Sequence, residues 1–130
     1  MNKFNKVFHA VLIAENSKGN NVKVVKWRKT MSGVYYRALN TIECPLPKSS
    51  TSLYVALHEI GHSTLKPITP RYVEEYEASI WAFKKMREYG IRVSHGLVKK
   101  AKKHLIWRIN MAKRRGLKKP IDKKVLSWIK

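Results

Sequence analysis

The chain has 130 residues, enough for one compact domain around a single core and too few for two. Its 28 Lys and Arg against 8 Asp and Glu give a net charge of +20, a surplus that calls for an anionic partner such as nucleic acid, an anionic membrane surface or an acidic protein. A lone cysteine, Cys44, excludes an intrachain disulfide and fits a reducing, cytoplasmic setting.

No run approaches the length of a transmembrane helix. Lys3 and Lys6 precede an apolar run at 7–14, but that run is short, contains His9 and lacks a small-residue cleavage site, so a secretory signal is not expected. Phe4, Val7, Phe8, Val11 and Leu12 recur at helical spacing; the same residue types suit a strand, but the polar stop at 16–21 with Gly19 favours a helix over 3–16. Residues 22–28 then read as a strand with an exposed basic face, 29–33 as a turn, and 34–37 with 39–44 as further strand broken at Asn40. Pro45 and Pro47 end it, and because proline cannot donate to a ladder they predict a sheet edge just before the next helix.

That next helix carries Leu57-His58-Glu59-Ile60-Gly61-His62-Ser63, an H-E-x-x-H pattern. Residues four apart share a helix face, so His58 and His62 can converge on one tetrahedral cation. Glu59, about 100° round the helix from His58, falls beside the metal, where it can take a proton from a water that the metal acidifies. Leu53, Leu57 and Ile60 give the opposite face its core, and the hydroxyls at 49–51 supply an N-cap.

A connection at 65–70 leads to a helix over 71–89 stopped by Gly90, with Val73, Tyr76, Ile80 and Phe83 as its buried stripe. A third helix over 94–115 is capped by Ser94, ended by Gly116, and turns Leu97, Ala101, Leu105, Ile109 and Ala112 inward. Asp122 caps a last short helix bearing Val125, Leu126 and Ile129.

Catalytic zinc usually takes three protein ligands and keeps a fourth position open. The best source of a third is Glu74-Glu75-Tyr76-Glu77, 12 to 15 residues beyond His62. Of these, Glu75 adjoins the core face and is followed by the small Ala78 and by Ser79, which allow close helix approach and place a hydroxyl beside the site. Glu74 is the alternative, Glu77 points elsewhere, and His9, His95 and His104 are further conceivable donors. For stabilising charge on the attacked carbonyl, Tyr54, Arg71, Tyr72 and His95 all remain open.

Residues 57–62 followed by 75–83 resemble the glutamate-zincins, most closely the small ImmA/IrrE-type metallopeptidases of bacteria and mobile elements and the metallopeptidase domain of ArdC-type antirestriction proteins. The resemblance covers roughly 40–84. It implies an α+β, zincin-like fold, a small N-terminal sheet packed on the motif helix and a Glu-bearing helix (1–90); the basic helical extension (91–130) in the same single domain is read from its own residues and has no counterpart in the resemblance. It implies Zn2+ held by His58, His62 and Glu75, Glu59 as general base, and a bacterial or phage-infected cytoplasm. The segment 42–47 resembles the edge strand along which such enzymes hold a substrate. Ser79 departs from the pattern, since many relatives have Asp there.

From 84 onward the chain has 17 Lys and Arg against Glu88 and Asp122. Clusters of two or three Lys and Arg on the outer faces of amphipathic helices can neutralise phosphates without reading sequence. Trp107 and Trp128 can stack bases, although their spacing beside Leu105, Ile109 and Val125 argues for the core. The expectation is a zinc metallopeptidase acting on a protein or peptide near nucleic acid, with a nucleic-acid-binding or antirestriction-like protein that keeps the fold without proteolysis as the alternative.

Overall fold

The computed structural model describes residues 2–130 and shows an α+β chain in the order α1 (Lys3–Ser17), β1 (Lys23–Arg28), β2 (Val34–Tyr36), β3 (Thr41–Pro45), α2 (Ser50–Thr64), α3 (Arg71–Glu88), α4 (His95–Arg114) and α5 (Lys123–Ile129). Among the described residues no helix is long and apolar enough to cross a membrane.

The N-terminal segment is helical. The Asn2 side chain accepts the Asn5 amide at its start, and Gly19 takes φ +93° just past its end. Asn16 then grips both backbone groups of Val22, accepting its N–H at 2.9 Å and donating to its carbonyl at 3.0 Å. That pairing aims the chain into β1 and leaves Val22, Phe8 and Val11 fully buried.

The sheet has the order β1-β3-β2, with β1 parallel and β2 antiparallel to β3. Ile42 sits between Val24 and Tyr35, and Glu43 between Lys26 and Val34. This overturns the expected edge at 42–46: the strand leading to the motif helix is the central one. Pro45 is tolerated because β2 reaches only to Glu43, so the strand has one neighbour there. The edges are β1 and β2. The break falls at Asn40, whose φ of +50° ends the turn and delays β3 to Thr41.

Helix α2 begins with a capping box: Ser49 Oγ accepts the Ser52 amide while Ser52 Oγ accepts the Ser49 amide. Its Leu53, Ala56, Leu57 and Ile60 are fully buried with Ile42 and Cys44 of β3 and Phe8 of α1. Its other side packs on α3. A Cβ built on Gly61 would lie 3.1 Å from the Ala78 carbonyl oxygen and 3.3 Å from Ala78 Cα, so glycine is what lets the two helices approach this closely.

The buried stripe of α3 departs from the prediction. Tyr72, Glu74, Glu75, Ala78, Ser79, Ala82, Phe83 and Met86 are buried, whereas Val73, Tyr76 and Ile80 are only half-buried. Val73 and Tyr76 face a second cluster formed by Tyr72, Leu105, Ile109 and Val125. Helix α4 turns Leu97, Ala101, Leu105 and Ile109 inward as its spacing predicts. Trp128 is half-buried and meets Tyr76 edge-on at 5.5 Å between centroids. Trp107 is 55% exposed, which corrects its assignment to the core.

Candidate metal centre

The close contact of Gly61 with Ala78 brings His62, one residue on, and Glu75, one turn back, to the same interface. His58 Nε2 lies 2.7 Å from Glu75 Oε2, His62 Nε2 lies 3.2 Å from the same oxygen, and the two Nε2 atoms are 3.2 Å apart. Donors about 2.0–2.2 Å from a tetrahedral cation stand about 3.3–3.6 Å apart, so small side-chain adjustments convert this triangle into three ligand positions. Within the described residues, His58, His62 and Glu75 are the one group of three or more potential donors with this geometry.

The outward nitrogens decide what the inward ones present. His62 Nδ1 is 2.5 Å from Glu74 Oε2. A carboxylate can only accept, so Nδ1 carries the proton and a neutral His62 turns a lone pair at Nε2 toward Glu75. Glu74 is itself held: Arg37 Nη2 donates to Oε2 at 2.9 Å and the Ile68 amide donates to Oε1 at 3.1 Å. Arg37 also donates to the Leu65 carbonyl at 2.7 Å, tying the end of α2 to the start of α3. His58 Nδ1 meets Ser79 Oγ at 3.1 Å, and that hydroxyl meets Tyr54 OH at 2.8 Å. Tyr35 of β2 stacks parallel on His62 with centroids 6.4 Å apart. Two imidazole lone pairs and a carboxylate oxygen packed this closely repel unless a proton or a cation lies among them. The donor set therefore could hold a metal ion, with the outward hydrogen bonds that orient ligand histidines.

In the metal-free chain burial works against charge on Glu75, but a proton shared from the facing imidazoles of His58 and His62 outweighs it and holds the carboxyl well below its usual range. Burial likewise opposes the charge on Glu74, where the Ile68 amide and His62 prevail and lower its pKa. Glu59 behaves in the opposite way. Desolvation, opposed by His58 and reinforced by Glu75, pushes it up to about 7. It lies under the turn before β2, where a Cβ on Gly33 would come within 2.7 Å of Glu59 Cγ and 2.8 Å of Oε2. Only glycine leaves room for the carboxylate in this conformer.

Of the residues left open for stabilising an oxyanion, Tyr72 OH instead accepts the Asp122 amide at 2.8 Å. His95 occupies the exposed first turn of α4, about 20 Å along the helix from Arg108. Tyr54 is engaged with Ser79 and pushed up to about 12, mainly by burial. Arg71 does reach the site, with Nε 3.5 Å from Glu75 Oε1. So does Arg108, which the sequence reading missed: its Nη2 is 3.4 Å from the same oxygen. The available signal was its position on α4, three residues beyond Leu105 at the margin of the apolar stripe, where a charge needs a partner. Arg108 Nε is directed at His104 Nε2 at 3.4 Å, and the His104 ring stacks on Trp107 at 5.7 Å between centroids.

Glu77 and His9 lie outside the triangle. His9 is instead edge-on to Phe8 at 5.6 Å between centroids. No protein-family model, curated protein or solved structure significantly matches this chain.

Proposed function

We propose that the chain is a zinc-dependent metallopeptidase of the zincin kind. The observation that carries this reading is the convergence of His58 Nε2, His62 Nε2 and Glu75 Oε2, each backed by a fixed partner, beside a separate buried carboxylate, Glu59. Zinc held by those three side chains would polarise a peptide carbonyl and acidify a water at neutral pH. Glu59, poised near neutrality by burial, is suited to take the proton from that water and to return it to the leaving amine. Glu74 fixes the His62 tautomer, Ser79 orients the His58 ring, and the turn at Gly33 keeps Glu59 in place.

The corrected strand order moves the substrate. Strand β2, not β3, offers a free edge and reaches the site through Tyr35 on His62. An extended peptide adding to that edge would run past the ligands. The test is metal content and proteolysis measured together. The native chain should hold about one zinc, His58→Ala and Glu75→Ala should lose it, and Glu59→Gln should keep it while peptide cleavage stops. Cleavage surviving Glu59→Gln would reject the mechanism.

A second reading, a nucleic-acid-binding protein, draws on the exposed Trp107 stacked with His104 in the lysine-rich α4. It requires affinity for a polynucleotide to fall steeply with salt, and a flat salt series removes it.

A further inference from the structure

Two guanidiniums converge on one carboxylate oxygen at the mouth of the candidate metal centre. Arg71 Nε and Arg108 Nη2, from different helices, stand 3.5 Å and 3.4 Å from Glu75 Oε1, while Oε2 of the same residue faces the histidines. Both side chains stay open to water, at 56% and 37% exposure, over a carboxylate that is only 7% exposed.

The charge inventory shows what this arrangement lacks. Glu74 is already taken by His62, Arg37 and the Ile68 amide. Arg71 Nη1 also comes within 3.8 Å of Glu74 Oε2, whose charge Arg37 offsets. Once a divalent cation draws on Glu75, the cation and the three guanidiniums face Glu74, Glu75 and Glu59, leaving about two positive charges at the mouth. Guanidinium forks match carboxylates geometrically, and these two are already spaced to share one. Arg108 is further oriented by His104, which Trp107 backs.

We propose that Arg71 and Arg108 form a clamp for a substrate carboxylate, so that the centre prefers acidic peptides. This rests on the metallopeptidase reading above and adds the substrate class to it. A peptide carboxylate suits the clamp better than a phosphodiester chain. The clamp is a local pair beside the reacting bond, whereas the lysines that could follow a phosphate backbone, such as Lys99, Lys103 and Lys113, lie away along exposed α4.

Binding, rather than turnover, tests it. Fluorescent, amide-capped short peptides identical except for one Glu or one Gln are titrated into the full chain carrying Glu59→Gln, with zinc supplied and in about 0.3 M salt to suppress general attraction. A free-acid form of the Gln peptide asks whether a C-terminal carboxylate serves as well as a side chain, and a single-stranded oligothymidine serves as the nucleic-acid probe. The Glu peptide should bind about tenfold more tightly than its Gln twin, and that preference should fall below about threefold when Arg71→Gln and Arg108→Gln are combined. The charge-matched pair Lys118→Gln and Lys119→Gln should leave it intact.

Arg108→Lys keeps the charge without the fork and should weaken the preference while zinc content stays unchanged, which covers the case of a double variant that misfolds. Equal binding of Glu and Gln peptides would overturn the clamp. So would a preference that survives loss of both arginines, or a loss of oligothymidine binding alone. Zinc absent from the native chain would overturn the metallopeptidase reading as well. Zinc present, with binding indifferent to acidic residues, would overturn only the clamp.

Discussion

Helices α2 and α4 are both amphipathic, yet they are built for different surroundings. Helix α2 is enclosed by the sheet and α1 on one side and by α3 on the other, and its single acid, Glu59, is buried. Helix α4 buries one stripe and leaves its lysines in water, with Arg108 as the inward exception. The contrast shows that position on a helix face, more than residue type, decides what a charge does here. A glutamate on α2 has its carboxyl pKa raised by burial, whereas most lysines on α4 contribute a diffuse field.

Core truncation should separate the two helices most. Leu57→Ala empties a fully buried site and should cost about 2–5 kcal/mol of unfolding free energy in a urea melt. Lys103→Ala on exposed α4 should stay within about 0.5 kcal/mol. Equal costs would dissolve the comparison.

The next effect sharpens it through pH. In the metal-free chain Glu59 binds its proton more tightly when folded, near 7, than when unfolded, near 4.5. The unfolded state therefore releases that proton first as pH rises. The stability contribution of Glu59 is unperturbed below about 4.5, declines between the two values, and is fully lost above about 7. Glu59→Gln removes this penalty, so the chelator-treated variant should be more stable than the native chain at pH 8 by up to about 3 kcal/mol, and by much less at pH 5. A gain of the same size at both pH values would show that the carboxylate is not responsible.

The smallest effect lies between the two histidines. His62 is oriented by a carboxylate and His58 by a hydroxyl. Glu74→Gln should therefore weaken zinc affinity by about 10- to 100-fold, measured by competition with a chromophoric chelator, and Ser79→Ala by less. The reverse order would place the principal support at His58.

Much of this was legible in the sequence because it is local. The capping hydroxyl at Ser49, the stop at Gly90, the four-residue spacing of the histidines and the small residues after Glu75 each act within a turn or two of chain. The strand order was not legible. It depends on β1 pairing with β3 across an intervening strand, and two prolines pointed to an edge that the short β2 makes unnecessary. The stripe of α3 was misjudged for a related reason. Periodicity counts apolar residues, but the site draws Glu74, Glu75 and Ser79 to the buried face and rotates the pattern away from Val73 and Ile80. Arg108 was hidden by its neighbours, one cation among many, distinguished only by an acid more than thirty residues earlier.

The contact of Gly61 with Ala78 has one more consequence. Because backbone meets backbone there, the two helices are held close, and an ion arriving at the candidate centre would find its three donors already gathered. Uptake then requires the loss of protons and a slight turn of side chains rather than a hinge closing. Filling and emptying the centre should accordingly leave the far-ultraviolet circular dichroism of the chain almost unaltered.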